Sequence, residues 1–148
     1  LFREKLQRFP QLSAVAVGNL GHLPIVEGLG LEVRGDFGLN VFNSRALAFL
    51  RELGLASATV SFELRYQQVR DLAKLLPCEG IVYGRLPLMV MENCITKNNV
   101  GCRHGAGSTL TDRTGAQFPV QCVYGCRNEI ENSLPLFLAD KASGAGAD

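Results

Sequence analysis

Apolar positions follow two different periods between Leu1 and Met91. Short apolar runs predict strands at Ser13–Val17, Leu31–Arg34 with Leu39–Phe42, Ala58–Phe62 and Ile81–Tyr83, the last extending toward Met91. Apolar residues at helical spacing predict helices at Leu1–Phe9, Gly21–Leu29, Arg45–Leu53 and Leu64–Leu76. Strands that alternate with helices through short connections predict parallel strands joined by right-handed crossovers. This part of the chain is therefore predicted to be α/β.

Two α/β architectures fit this order of elements: an open doubly wound sheet and part of a (β/α)8 TIM-type barrel. Because the predicted strands are short and uniformly apolar, we expect both of their faces to be buried. A complete barrel needs about 250 residues, so four strands with their helices amount to half of one. The chain begins with Leu1 inside a predicted helix, and we expect it to be a piece of a longer protein. This expectation favours the half-barrel.

The pattern changes after Met91. Turn-forming Asn and Gly residues follow, and a hairpin is predicted from Leu110–Thr111, a turn at Asp112–Gly115 and a second strand at Phe118–Val120. We therefore divide the chain into barrel units at 1–91, a small cysteine-containing β-rich segment at 92–141 and a flexible tail of small residues at 142–148.

Composition narrows the class of partner and the compartment. Hydrophobic residues make up 47% of the 148 and charged residues 20%, and the net charge of +1 gives no strong attraction to nucleic acid or to a membrane surface. No apolar run approaches the ~20 residues that a membrane helix needs. The five cysteines are odd in number and unevenly spaced. They favour a cytoplasmic protein whose thiolates are free to bind metal over a secreted disulfide scaffold.

Four of the five cysteines lie after Met91. They are Cys94, Cys102, Cys122 and Cys126. Seven residues separate the first pair and three separate the second, and neither spacing is the C-x2-C of a zinc ribbon. Since iron–sulfur clusters accept varied spacings, a metal or cluster site, inert buried thiols and a disulfide all remain open. Cys78 follows Pro77, where a predicted helix ends, and we interpret it as structural.

Among the cationic side chains in or near the cysteine segment, we consider four. They are Arg85, His104, Arg113 and Arg127. One interpretation is that they contact an anionic substrate or compensate the charge of a thiolate-bound cluster. The other interpretation is surface ion pairs, which are the commoner case. Arg113 and Arg127 are the candidates for substrate binding, and Arg85 is a candidate for catalysis.

Polar residues also follow two of the predicted strands. Asn43 and Glu63 would face the active site of a barrel, where the carboxyl ends of the strands meet, and they are the other catalytic candidates. Asn43 fits equally well as the N-cap of the next helix. Neither His22 nor His104 has a Ser or Cys partner at a recognisable spacing, so no protease dyad or triad is predicted.

Five strings of sequence together resemble the peptidase U32 family, long labelled collagenase-like proteases. They are GDFGLNVFNS (Gly35–Ser44), VSFELRYQQV (Val60–Val69), YGRLPLMVMENC (Tyr83–Cys94), LTDRTGAQFPV (Leu110–Val120) and GCRNEIENSLPLFLADK (Gly125–Lys141). The resemblance covers nearly the whole chain except its ends, and the last three strings together are specific. It is greatest to the branch that includes the bacterial ribosomal-RNA cytidine hydroxylase.

The resemblance implies the later strands of a (β/α)8-type barrel followed by cysteines that bind an iron–sulfur cluster. Cys94, Cys102 and Cys126 match family cysteines. A further family cysteine, expected soon after Cys102, has no counterpart in this chain, so the fourth ligand is open between Cys122 and His104, or the cluster is incomplete. Characterised members act in hydroxylation of RNA bases or of ubiquinone precursors, and the RNA branch uses prephenate as the source of the hydroxyl group.

Three functional hypotheses follow. The first is an iron–sulfur-dependent hydroxylase that modifies a base of ribosomal or transfer RNA, with the chain as part of a longer enzyme. The alternatives are a metal-assisted protease of the collagenase-like type and a zinc-stabilised binding module without catalytic activity. We also expect the chain alone to aggregate or dimerise, because half a barrel exposes unpaired strand edges.

Overall fold

The computed structural model describes residues 2–101, 108–123 and 127–138. The chain divides into two compact units, Leu1–Ile81 and Val82–Asp148, so the Pro87–Met91 stretch falls in the second unit. The tail that we assign to 142–148 lies outside the described residues. Across the described ranges, no helix combines the length and the apolar composition needed to cross a membrane.

The first unit is a parallel sheet with its helices, as the α/β prediction requires. Its strands are β1 (Ala14–Val17), β2 (Glu32–Gly35), β3 (Ser57–Thr59) and β4 (Cys78–Glu79), and they pair in the order β1-β2-β3-β4. Its α-helices are α1 (Phe2–Gln7), α2 (Leu23–Val26), α3 (Ser44–Glu52) and α4 (Tyr66–Ala73), with short 3-10 turns at Leu20–His22 and Phe37–Leu39. All three strand pairs are parallel, which confirms the prediction of crossover connections.

The prediction of the fourth strand at Ile81–Tyr83 is wrong. The strand that completes the parallel sheet is β4, only two residues long, and it follows directly after Pro77. The carbonyls of Pro77 and Glu79 accept hydrogen bonds from the amides of Ala58 and Val60, at 3.1 and 2.9 Å. The pairing of β3 with β4 is thus made by backbone atoms. Because β4 contains no apolar run, the hydrophobic pattern of the sequence does not predict it.

The prediction of Leu39–Phe42 as a continuation of the second strand is largely wrong. Asn40 has a left-handed backbone with φ of 47°, which interrupts an extended chain, and Val41 makes a single parallel bridge to Val60. The side chain of Val41 is nevertheless buried in the core of the unit.

One face of the parallel sheet forms the core of the first unit. The buried cluster consists of Val17, Val26, Val41, Leu47, Leu50, Leu55, Ala58, Val60, Leu72 and Leu76. Residues of β1 and β3 in this cluster share a face with Val15, Val33 and Cys78, which pack against it. Leu6 and Val26 bring α1 and α2 to the same cluster. The helices of this unit therefore contribute to a core on a single side of the sheet.

The opposite face of the same sheet carries small and polar side chains. They are Ala14, Ala16, Glu32, Arg34, Ser57, Thr59 and Glu79. Arg34 Nε donates to Glu32 Oε1 at 2.7 Å, and both side chains are about half exposed. Ser57 Oγ donates to Glu79 Oε1 at 2.6 Å. The expectation that both strand faces are buried is therefore wrong, because the strands alternate apolar and polar positions across the sheet.

The second unit is antiparallel. Strand β5 (Tyr83–Gly84) pairs with β10 (Leu136–Phe137), and the rings of Tyr83 and Phe137 meet edge to face with centroids 6.1 Å apart. A four-stranded sheet in the order β6-β9-β8-β7 is built from β6 (Pro87–Met91), β7 (Ser108–Thr111), β8 (Gln117–Val123) and β9 (Arg127–Glu131). Helix α5 (Ile95–Val100) follows β6. The predicted hairpin is confirmed, because Ser108–Thr111 pairs with Gln117–Val120 around the turn that begins at Asp112.

Candidate functional site

Three strands of the second unit bring their ends together beside the cysteine segment. Asn128 near the start of β9 is paired with Met91 at the end of β6 and with Cys122 near the end of β8. Residues directly opposite each other in an antiparallel sheet point to the same face. Cys122, Asn128 and Met91 therefore project from one face at one end of this sheet.

Cys94 begins helix α5 at the same end of the sheet. Its side chain is buried, with 7% of its surface exposed, and its Sγ accepts a hydrogen bond from the Lys97 amide at 3.3 Å. The sulfur thus serves as the N-cap acceptor of the helix. Thr96 of α5 lies within 3.0 Å of Ser108, hydroxyl to hydroxyl, and Ser108 is paired with the buried Val120 on the face that carries Cys122. Helix α5 therefore lies on that face.

Asn128 is the fully buried polar residue of this site. Its side chain is 0% exposed, its Oδ1 accepts the Ile95 amide at 2.7 Å, and its Nδ2 donates to the Arg127 carbonyl at 3.3 Å. Buried polar groups need partners, and both ends of this carboxamide have one. The sequence analysis missed Asn128, although it occupies the fourth place of the GCRNE string that carries the resemblance.

An ion pair links the same two segments at the surface. Arg127 Nη2 lies 2.5 Å from Glu92 Oε1, and their side chains are 47% and 78% exposed. The ion-pair interpretation that sequence left open for the arginines is thus confirmed for Arg127.

Two of the expected ligands, Cys94 and Cys122, lie among the described residues. Cys94 precedes Ile95, whose amide donates to Asn128, and Cys122 is the partner of Asn128 in the sheet. Cys102, His104 and Cys126 lie outside the described residues, and among the residues that are described no three His, Cys, Asp or Glu side chains form a metal-binding group. Thiolates are soft ligands that iron–sulfur clusters and zinc both take, so the residue type alone does not distinguish the two.

Arg85 and Arg113 occupy different positions in the second unit. Arg85 Nη1 donates to the carbonyls of Asn132 and Ser133, at 2.8 Å each, and so joins the β5–β6 connection to the chain after β9. Arg113 lies in the exposed turn of the β7–β8 hairpin. Because Arg85 donates to two main-chain carbonyls, its role is structural. Arg113 is exposed to solvent in the hairpin turn.

Asn43 and Glu63 belong to the first unit. Asn43 Oδ1 accepts the Ala46 amide at 3.0 Å, so the structure confirms the helix-cap interpretation for this residue. Glu63 is exposed in the connection between β3 and α4. Glu63 follows the carboxyl end of β3, as the sequence predicts, whereas Asn43 comes two residues after the single bridge at Val41 rather than after a strand. Of the two side chains, Asn43 is the one with a visible contact, as a cap.

A shallow cleft lies at the carboxyl ends of β1 and β2. It encloses about 280 Å³ and is lined by Gly18, Asn19, Leu20, Gly38 and Leu39. A Cβ on Gly38 would lie 2.7 Å from the Gly18 carbonyl oxygen, so only glycine allows the two loops to approach this closely.

Cys78 lies in the first unit, within the parallel sheet. Burial raises the pKa of its thiol, and its Sγ donates to the Leu76 carbonyl at 3.3 Å. A half-buried, protonated thiol is suited to packing rather than to metal binding, since metals take the thiolate. This supports the structural interpretation of Cys78.

In a comparison with known protein families, the family described as Peptidase family U32 matches residues 2–116. The matched range includes Cys94 and Cys102 and ends before Cys122 and Cys126. A search of curated proteins and a search of solved structures each found no match. The family match spans well over half of the chain, and the chain therefore belongs to peptidase family U32.

Proposed function

We propose that this chain is part of an iron–sulfur-dependent hydroxylase that modifies an RNA base, with Cys94, Cys102 and Cys126 as cluster ligands. The observation that carries the proposal is that Asn128 joins two cysteine-bearing segments: its Oδ1 accepts the amide of Ile95, which follows Cys94, and it pairs with Cys122 in the sheet. Cys126 directly precedes Arg127, the first residue of β9, in sequence. We prefer Cys122 to His104 as the fourth ligand, because Cys122 pairs with Asn128, whose side chain binds the residue after Cys94.

The surroundings of Cys94 suit a cluster ligand. An amide donates to its sulfur, and hydrogen bonds of this kind are among the features that set the reduction potential of a cluster. Burial of Cys94 limits solvent access to its sulfur, and solvent access also affects the reduction potential of a cluster. When bound, such a cluster supplies one-electron chemistry, while the protein holds and orients the reactants.

We further propose that the first unit is the carboxyl-terminal half of a (β/α)8 barrel. Its parallel strands pair in sequence order, and the described helices at residues 2–81 pack on one face. A doubly wound sheet carries helices on both faces and reverses its strand order, whereas a barrel has one ring of helices outside its strands. The polar face with Arg34, Ser57 and Glu79 would then point to the barrel interior.

The RNA substrate and prephenate rest on the family resemblance. Both are anionic, so they require cationic contacts. Arg113, in an exposed hairpin turn, is the better candidate of the two arginines for such a contact, because the guanidinium of Arg127 already pairs with Glu92.

Anaerobic reconstitution with ferrous iron and sulfide tests the proposal. We expect broad visible absorption, stoichiometric iron, and hydroxylation of RNA by the loaded enzyme when the rest of the barrel is present. Zinc gives no such absorption, so a colourless, zinc-replete protein would reject the cluster and favour the binding module. Hydrolysis of casein or gelatin that survives loss of all five cysteines would instead support the protease.

A further inference from the structure

We infer that Glu92, Arg127 and Asn128 together hold the Cys94 segment against the start of β9 and so position Cys94 for cluster binding. We call these three residues the clamp. The inference rests on the proposed function for its role in cluster binding. The clamp itself is a set of contacts in the chain, and its effect on Cys94 is measurable without any metal.

The two contacts of the clamp lie on either side of Cys94. Glu92, two residues before Cys94, pairs with Arg127, and Ile95, one residue after Cys94, donates its amide to Asn128. Arg127 and Asn128 are consecutive, and they directly follow Cys126. Two consecutive residues at the start of β9 thus contact the residues on both sides of Cys94. Ile95 and Asn128 are 33 residues apart in the sequence.

The inner contact is the stronger of the two. The Asn128 carboxamide is fully buried, where a hydrogen bond is less weakened by water and an unpaired polar group is costly. The outer ion pair is exposed, and pairs of this kind contribute little to stability. We therefore assign the holding of the segment to Asn128 and its orientation to Glu92 and Arg127.

Loss of the inner contact propagates to the sulfur of Cys94. Removing the Asn128 oxygen leaves the Ile95 amide without its partner in the first turn of α5, a helix of only six residues. The same turn contains the Lys97 amide that donates to Cys94 Sγ. Asn128 also lies opposite Cys122 in the sheet, so one side chain touches the first turn beyond Cys94 and neighbours a second thiol. Asn128 therefore adjoins both the stretch that follows Cys94 and the stretch that carries Cys122.

The test compares four variants of the 148-residue chain. Asn128→Ala removes the inner contact, and Asn128→Asp keeps an acceptor oxygen in its place. Glu92→Arg breaks the outer pair, and the double variant Glu92→Arg, Arg127→Glu restores it with the charges exchanged. The matched control is Asn99→Ala, which removes an exposed asparagine whose Nδ2 donates to the carbonyl of the same Ile95, at 2.8 Å.

Two readouts are needed. The first is the rate at which iodoacetamide alkylates Cys94 in the metal-free chain, followed by mass spectrometry of the peptide. The second is iron per chain after anaerobic reconstitution, together with the visible and electron paramagnetic resonance spectra of the cluster. Circular dichroism identifies any variant that does not fold.

We expect Asn128→Ala to alkylate at Cys94 about tenfold faster than wild type and to lose most of its iron, since a lost buried hydrogen bond corresponds to roughly that change in an equilibrium constant. Asn128→Asp should recover part of both properties. Glu92→Arg should alkylate about twofold faster and shift the cluster spectrum, and the charge-exchanged double variant should return both to wild type. Asn99→Ala should behave as wild type.

A folded Asn128→Ala that alkylates at the wild-type rate would overturn the inference. If Asn128→Ala does not fold, the Glu92–Arg127 ion pair provides the test. A Glu92→Arg variant with the wild-type alkylation rate and the wild-type cluster spectrum would then overturn the inference. A wild-type chain that takes up no iron would refute the proposed cluster instead, and the alkylation rates would still decide whether the clamp exists.

Discussion

The thiols that the structure describes differ in what surrounds them. Cys94 is buried and accepts an amide hydrogen bond, Cys122 lies exposed near the end of β8, and Cys78 is half-buried with a raised pKa. We expect Cys→Ser variants at Cys94, Cys102 and Cys126 to lose their iron after reconstitution, because a cluster iron that loses its thiolate has no equivalent replacement.

In the same series Cys78→Ser is the control and should load fully. Cys122→Ser should lose iron as well if Cys122 is the fourth ligand. Full loading of Cys94→Ser or Cys126→Ser would reject the ligand assignment, whereas full loading of Cys122→Ser alone would move the fourth position to His104, to solvent or to another part of the protein.

The side chain of Asp112 accepts three hydrogen bonds within the β7–β8 turn. Its Oδ1 accepts from the Thr114 amide and hydroxyl, both at 2.7 Å, and from the Ala116 amide at 3.0 Å. The side-chain hydrogen bond from Thr114 comes first among the causes that lower the pKa of Asp112 below its ordinary value of 3.8. The ionised carboxylate is favoured in the folded turn, so its contribution is fully present above pH 3.8 and is lost as the pH falls through the lowered value.

We therefore expect the amides of Thr114 and Ala116 to lose their hydrogen-bonded chemical shifts with a midpoint below pH 3.8, measured by NMR titration. Asp112→Ala should show the low-pH shifts at every pH, and Asp112→Asn should show no titration at these amides. Shifts that stay constant in wild type down to pH 2 would contradict this account of the turn.

At the scale of single residues, sequence was informative where the contact is local. The cap at Asn43 was foreseen because its partner lies three residues away. Asn128 was missed because its partner, Ile95, is distant in sequence and nothing in the residue type marks a buried asparagine. Hydrogen bonds between distant segments depend on strand register, which a single sequence leaves open.

At the N-terminus of α3, two substitutions of Asn43 distinguish its role as a helix cap from a catalytic role. Asn43→Ala removes the side-chain acceptor and should lower the free energy of unfolding by about 1 kcal/mol, whereas Asn43→Ser keeps an acceptor and should stay close to wild type. Urea unfolding measures both. If Asn43 only caps the helix, Asn43→Ser retains full activity in the complete enzyme, and a loss of activity with unchanged stability would assign it a role in the active site.

Elements were predicted well where a pattern repeats and poorly where pairing is short. Three parallel strands, α3 and the β7–β8 hairpin follow from apolar periodicity and turn residues. The two-residue strand β4 carries no such pattern. The apolar run from Ile81 to Met91 was assigned to the parallel sheet, yet its residues form β5 and β6 in two antiparallel sheets, because a hydrophobic run does not specify the direction of its partner.

For the molecule as a whole, the alternation of the parallel strands is the main evidence on architecture. The sequence was interpreted as strands buried on both faces, but Glu32 and Arg34 of β2 make an ion pair on the face opposite the core. Two architectures fit a sheet with helices on one face and polar side chains on the other. One is part of a closed barrel, and the other is an open sheet whose polar face is covered by another element. The strands pair in the order in which they occur along the chain, which supports the half-barrel that we propose.

This architecture predicts that the chain alone self-associates. In the part of the chain that the structure describes, β1 and β4 are the edges of the parallel sheet, and each pairs on one side only. Unpaired edges with a partly apolar surface recruit other strands, and a lysine on an edge strand is a device that natural sheets use against this. We expect light scattering after size exclusion to show dimers or larger species that increase with concentration. Ala16→Lys, at an exposed position of β1, should shift the distribution toward monomer, whereas Gln67→Lys, on the exposed surface of α4, should leave it unchanged. A monomeric wild-type chain with one cooperative unfolding transition would contradict the half-barrel and favour a self-contained open sheet.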